Sequence, residues 1–343
     1  MLYETDPRYR ELWNGDPAAV TSARRLTGPC ANLGDPTGET RECRTCGGHV
    51  RIKLRACTVH GACTEAKAVE GVACCQGCPD RTAAPPAAPA SFAPARRHLL
   101  YHVWPVARNG TWQRNLDQLA ARLPLFDGRR VIAVATGGGA DPPDAVREHL
   151  RGAGCEFIEV PNDPGLREVA TWRPLWDRLA DLADTDDVVF YAHAKGVTRP
   201  FNPGVTVHEW ARILYSSLLD FWPVVDDLLR RHPIAGSFKK IGHGFQGSKS
   251  AWHYSGAFFW VRLREALAYS RADTIDGRWW GSEAWPGLHW RPEEAGCVFQ
   301  EGRVPTLDLY SPDVLFRRVV QEFRDWTGAN ARRRTRHAAG AAP

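Results

Sequence analysis

No stretch of this sequence approaches the roughly 18 consecutive apolar residues that a membrane helix needs, so no span is read from it. Met1 to Asp16 alternates charge with aromatics and has no apolar segment. That excludes a secretory signal and makes a cytoplasmic location the expectation. Phe, Tyr and Trp are all missing between Cys30 and Cys78, so that segment has no platform on which nucleic-acid bases could stack. The net charge of +5 is modest, and part of it sits in the terminal arginines Arg332, Arg333, Arg334 and Arg336. Without a clustered basic stripe, a nucleic-acid partner is disfavoured. Gly137-Gly138-Gly139 lacks the G-x-G-x-x-G spacing of a dinucleotide fingerprint.

Cysteine, by contrast, is concentrated: eight of the ten lie between Cys30 and Cys78. Cys43-x-x-Cys46 and Cys75-x-x-Cys78 have adjacent glycines that let the backbone turn its amides toward thiolate. Two such pairs signal a metal. The alternative, a disulfide framework, belongs to exported chains, so structural zinc is favoured. Cys43, Cys46, Cys75 and Cys78 form one candidate tetrahedral site. Cys30, Cys57, Cys63 and Cys74 form a second, with His60 as a substitute ligand. One or two zinc ions are expected.

An Ala/Pro-rich stretch, residues 81–97, reads as a semi-rigid linker. It separates an N-terminal segment (1–29) and the cysteine-rich module (30–80) from a larger domain (98–322), which a basic tail (323–343) follows. Beyond the linker, short apolar runs alternate with helical periodicity. Strands are expected at His98–Trp104, Val131–Ala135, Phe157–Val160 and Val188–Ala192. A helix is expected across Leu166–Leu182, and a long one from Thr206 to Arg230, bent at Pro223. This alternation predicts an α/β fold, a mostly parallel sheet with helices on both faces. Ligands in such folds bind beyond the carboxyl ends of the strands.

The most informative stretch is Asp187 to Gly196, an apolar run ending in His193-Ala-Lys195-Gly196. Alternation puts His193 and Lys195 on one side of the backbone, and a basic pair at a strand end suits an anion. The plain alternative is a solvated strand end. Arg199, Lys239 and Lys240 are further cations that could converge there, the lysines following the strand pattern Ile234–Phe238. In Trp252-His253-Tyr254-Ser255-Gly256 the small residues permit close approach to the backbone. Glu283 is flanked by Trp279, Trp280 and Trp285, and a carboxylate desolvated in this way suits a general base. Its alternatives are a turn cap or an ion pair. Asp184-x-Asp186 precedes the central strand and reads as a turn. Cys155 and Cys297 read as buried thiols.

Tyr191-Ala-His193-Ala-Lys195-Gly196, followed by Ser255-Gly256-Ala-Phe-Phe-Trp260 and then Glu283, resembles a group of bacterial and phage glycosyltransferase-like proteins. More distantly it resembles rhamnan-synthesis-type polysaccharide glycosyltransferases. The likeness covers roughly His98 to Tyr310. It implies a GT-A-like, Rossmann-related sandwich that binds a nucleotide-sugar donor and a saccharide or other hydroxyl acceptor. On that reading Glu283, Lys195 and His193 carry the chemistry. Tyr191, Arg199, Lys239, Lys240, Trp252, His253, Ser255 and Gly256 bind the donor. The cysteine block resembles a small zinc-ribbon-like segment. One departure matters: the family's Asp-x-Asp, which holds a divalent ion, is replaced by His193-Ala194-Lys195, so no divalent metal is expected at the transferase site. Two rivals stand beside this reading. One is a glycoside hydrolase pairing Glu283 with Glu293 or Glu294; the other is a zinc-ribbon nucleic-acid-binding protein using Arg41, Arg44, Arg51, Lys53 and Arg55.

Overall fold

The computed structural model describes residues 33–43, 50–57, 61–64, 92–107, 110–198, 206–242, 245, 248–303 and 314–335. The chain divides into two units, Met1–Ala90 and Ser91–Pro343. In the first, strands β1 (Leu33–Cys43), β2 (Val50–Cys57) and β3 (Gly61–Thr64) form an antiparallel sheet in sequence order. Cys43, Cys57 and Cys63 lie on these strands. Cys30, Cys46, His60, Cys74, Cys75 and Cys78 lie outside the described residues, as does Arg199.

The second unit is built on a seven-stranded sheet. Its members are β4 (Arg97–Val103), β5 (Arg130–Thr136), β6 (Glu156–Pro161), β7 (Val188–His193), β8 (Ile234–Gly236), β11 (Phe259–Arg262) and β12 (Ala295–Cys297). A small sheet takes β9 (Lys239–Ile241), β10 (Trp252–Tyr254) and β13 (Glu301–Arg303). The large sheet runs β12-β8-β11-β7-β4-β5-β6. All its neighbouring pairs are parallel except those of β11, which is antiparallel to both β7 and β8. The chain therefore builds outward from β4 through β5 to β6, then crosses back to lay β7 on the other side of β4. The crevice between the carboxyl ends of β4 and β7 is the topological switch point, where doubly wound sheets take ligands.

The helices are α1 (Thr111–Ala120), α2 (Pro143–His149), α3 (Trp172–Asp177), α4 (Thr206–Tyr215), α5 (Trp222–Leu229), α6 (Leu263–Leu267), α7 (Gly281–His289) and α8 (Val314–Ala329). They cover both faces. Val188, Phe190 and Ala192 of β7 join the core under α1, α4 and α5, while Val189 and Tyr191 join the core under α3 and α7. That two-sided burial is why the central strand is an almost unbroken apolar run. No helix among the described residues is long and apolar enough to cross a membrane.

Three elements differ from the periodicity reading. The helix expected from Thr206 to Arg230 is two helices, separated by a wide π-turn at Ser216–Asp220. Asp220, the last residue of that turn, accepts from Arg122 at 2.7 and 2.9 Å and from Ser216 at 2.8 Å. Pro223 then begins α5 rather than bending it, because its missing N–H costs nothing in a first turn. The helix expected across Leu166–Leu182 is split into a 3-10 turn (Arg167–Thr171), α3 and another 3-10 turn (Ala180–Leu182). The chain expected to be a basic tail from residue 323 remains helical to Ala329, held by buried Phe323 and by Trp326 packed edge-on against Phe221 at 4.7 Å. Cys155 and Cys297 are half-buried free thiols, pushed by burial to about 11 and about 12.

Candidate active site

His102 is the penultimate residue of β4 and His193 ends β7, and the two are register partners across the switch point. Nε2–H of His193 donates to the Gly256 carbonyl at 2.9 Å. Burial, with Lys195 nearby, lowers the His193 pKa to about 3. His102 Nδ1 lies 2.9 Å from Thr171 Oγ1, and that hydroxyl donates to the Glu168 carbonyl at 3.0 Å. The hydroxyl proton is thereby committed, so Nδ1–H of His102 must be the donor and Nε2 carries the lone pair. Burial lowers His102 to about 4, against the pull of Glu168. Both rings are held neutral.

Two residues further on, Lys195 is buried. Its backbone is clamped by Asn115 of α1, which donates to the Lys195 carbonyl and accepts from its N–H, both at 3.0 Å. The strand ends at His193, so alternation no longer sets direction, and the ammonium lies 4.2 Å from the centroid of Trp210 on α4. No carboxylate among the described residues is within ion-pair range of it.

Gly256 is the hub of the site. Its carbonyl holds His193 and its N–H donates to Glu283 Oε1. Its φ of +102° is the left-handed region that glycine tolerates, and an added Cβ would sit 2.8 Å from Leu214 and 3.2 Å from Trp210. The close approach read from Ser255-Gly256 is therefore made by side chains of α4. Glu283, in the first turn of α7, is half-buried. A second carboxylate joins it: Glu168 accepts from Ser282 Oγ at 3.2 Å. Burial raises the Glu168 pKa, and Glu283 adds to the rise while His102 and Lys195 oppose it.

The other expected donor-site residues are placed as follows. Tyr191 is fully buried under α3, edge-on to Trp172 at 4.7 Å, and its phenol is raised by burial and by Glu168. Trp252 is also fully buried and donates to the Trp290 carbonyl at 2.7 Å, so it packs the core. His253 and Ser255 are buried together, 3.2 Å apart. Lys239 does not converge with Lys195. Its ammonium donates to the Ala295 carbonyl at 2.7 Å and pairs with Glu301 at 2.9 Å. Lys240 is half-buried, the register partner of His253.

Glu293 and Glu294 immediately precede β12 and lie near Arg291, at 3.5 and 3.4 Å. Since β12 and β8 run parallel to β7, their amino-terminal ends lie at the edge of the sheet opposite His193. A hydrolase pair joining Glu283 to either of them is therefore excluded. Asp184 and Asp186 likewise sit before β7, where Arg264 bonds both. Among the described residues no three His, Cys, Asp or Glu side chains gather as metal ligands.

Sequence reasoning did not single out His102, Glu168, Asn115, Trp210 or Ser282. His102 carried the same signal as His193, a histidine near the end of a buried strand. Glu168 falls inside the helix expected across Leu166–Leu182, and nothing local marks the turn that carries it into the site.

The buried histidines give the fold an acid limit. The unfolded chain takes up protons below about pH 6.5, whereas His102 and His193 in the fold resist until about 4 and about 3. Stability is therefore fully present above pH 6.5 and lost as pH falls, by up to about 1.4 kcal/mol per pH unit for each ring. Glu168, whose carboxyl is raised, acts in the opposite sense above the ordinary carboxylate pKa. Urea denaturation midpoints are expected to drop steadily from pH 7 to pH 4.5. A flat profile over that range would contradict neutral burial of the two rings.

Fold and site together define an α/β protein with a polar, cation-bearing cluster at the carboxyl edge of a mostly parallel sheet. No family model matches the chain, and no curated protein matches it. Among solved structures it is similar to a candidate nucleotide-diphospho-sugar transferase from Desulfovibrio desulfuricans G20 (14% identity, 67% of this chain and 97% of that one, TM-score 0.31). It is also similar to glucosyl-3-phosphoglycerate synthase from Mycobacterium tuberculosis, in complex with Mn2+, UDP and glucosyl-3-phosphoglycerate (14%, 68% and 81%, TM-score 0.32). A third is the galactosyltransferase LgtC in complex with donor and acceptor sugar analogues (14%, 58% and 73%, TM-score 0.30). At these scores the likenesses assign nothing to this chain.

Proposed function

We propose that the Ser91–Pro343 unit is a GT-A-like glycosyltransferase, moving a sugar from a nucleotide-sugar donor to a hydroxyl acceptor. The observation that carries this reading is the Lys195 ammonium, buried at the switch point with no carboxylate in ion-pair range among the described residues. A buried charge whose nearby carboxylate, Glu168, lies beyond ion-pair range is incompletely compensated, and a ligand of opposite charge offsets the remaining cost. A nucleoside diphosphate fits. As the bond from the anomeric carbon to the diphosphate oxygen breaks, negative charge grows on the departing phosphate, where a lysine stabilises it most. Glu283, tethered through Oε1 to the Gly256 N–H, keeps Oε2 to take the proton of the attacking hydroxyl. His193 is a positioning residue: it holds the Gly256 peptide that orients Glu283.

A divalent ion does not fit at the end of β7. The strand end itself offers a histidine whose Nε2–H is engaged and an ammonium that repels a dication, and the two carboxylates beside it, Glu168 and Glu283, are bonded to Ser282 and to the Gly256 N–H. Calorimetry with nucleoside diphosphates and nucleotide sugars is expected to find a ligand that binds, and donor turnover is expected to survive brief EDTA treatment. Absence of binding across the nucleotide panel would end the transferase reading. Activity lost to EDTA and restored by Mn2+ or Mg2+ would end the lysine reading alone.

In the Met1–Ala90 unit the two C-x-x-C pairs support one or two structural zinc ions. Metal analysis of the full chain should find them; metal-free protein with its cysteines oxidised in pairs would mean a disulfide framework instead.

A further inference from the structure

An aromatic wall extends from the site toward solvent. His253 packs against Phe245 at 4.7 Å, and Phe245 stacks on Trp280 at 5.0 Å with the rings 6° from parallel. Trp279 meets Phe245 edge-on at 6.5 Å and is 45% exposed, a large apolar side chain left open to water. Over its ring, 4.7 Å from the centroid, lies the guanidinium of Arg167. Arg167 is held at φ +53°, a conformation that costs an arginine energy and persists only where its surroundings impose it. No carboxylate among the described residues pairs with it. The next residue is Glu168, and the Ser282–Glu168 hydrogen bond joins the Arg167 segment to the Trp279–Glu283 segment. The platform therefore stands beside both carboxylates of the site.

Each part has a ligand chemistry. The part of the Trp279 indole that Arg167 leaves open to water can bury the C–H face of a pyranose, removing apolar area on both from water. A guanidinium stacked on an aromatic ring still presents its N–H fork outward, and that fork matches a carboxylate or a phosphate. We propose that Trp279 and Arg167 form the acceptor subsite and that the acceptor is an acidic saccharide. Its ring rests on Trp279 and its anionic substituent pairs with Arg167. This deepens the transferase reading and rests on it for the word acceptor, although the binding site itself does not.

The test uses the full chain, saturated with UDP, and three probes: oligogalacturonate, glucose 6-phosphate and neutral maltotriose. Tryptophan fluorescence and saturation-transfer NMR report binding. At least one acidic probe is expected to bind about tenfold or more tightly than maltotriose, and its identity separates a carboxylate from a phosphate. Arg167→Gln is expected to remove that preference, so that acidic and neutral probes bind alike. Trp279→Ala is expected to weaken all probes about tenfold. UDP binding, measured on the same samples, reports folding of both variants. If UDP binds but no saccharide does, or if the acidic preference survives Arg167→Gln, the inference is overturned and the transferase reading stands. If acidic probes bind through Arg167 but no nucleotide does, the transferase reading falls and the saccharide site remains.

Discussion

Glu283→Gln is expected to lower turnover by roughly a hundredfold or more, the usual consequence of removing a general base, while donor affinity stays nearly intact. The side chain is placed by a single strong contact, Oε1 to the Gly256 N–H. Glutamine keeps that carbonyl acceptor and the shape of the residue, so α7 and the Gly256 hub remain in place. What it loses is the oxygen that receives the proton. A coupled assay for released diphosphate measures the rate, and calorimetry with donor measures affinity independently. Wild-type turnover in this variant would move the role to Glu168, the other carboxylate of the cluster. Burial raises the pKa of Glu168, which suits a carboxylate to take a proton, so it is the natural second candidate.

Lys195→Met is expected to produce the second large effect, with two signs in one protein. The ammonium is buried over Trp210 with no ion-pair partner among the described residues. Methionine fills much of the same volume without a charge to desolvate, so the free protein is expected to become more stable. Nucleotide affinity is expected to fall by about 1.5–3 kcal/mol, the range for a lost hydrogen bond to a charged group. Turnover should fall further than binding, since charge on the leaving diphosphate is greatest in the transition state. Denaturant melts of the free protein, calorimetry with the nucleoside diphosphate and single-turnover rates separate the three quantities. Unchanged nucleotide affinity would show that the anion sits elsewhere.

These expectations differ from a reading of Lys195, Lys239 and Lys240 as one cationic cluster. Lys239 is already neutralised by Glu301 and by the Ala295 carbonyl, so its charge serves the joint between the two sheets. Sequence shows that a lysine follows a strand. It does not show whether the protein has already supplied a counter-ion, because Glu301 and Ala295 lie more than fifty residues away in the chain.

Patterns set by neighbouring residues were legible in the sequence itself. The β/α alternation, the central strand buried on both faces and the histidine at its carboxyl end follow from periods of 2 and 3.6 and from where apolar runs stop. Glu283 stood out for a different reason, as an acid flanked by tryptophans. Only the tertiary structure decided the rest. Glu168 enters the site because Arg167–Thr171 breaks the expected helix, and Ser282, 114 residues away, receives it. Gly256 is required by its φ of +102° and by Leu214 and Trp210 pressing on its backbone. Trp252 reads like Trp279 in the sequence, yet one is fully buried and the other is 45% exposed. The physical reason is common to all of these. Periodicity records what each residue does to its own segment, whereas burial, counter-ions and hydrogen-bond partners are set by distant segments that meet only when the sheet is assembled.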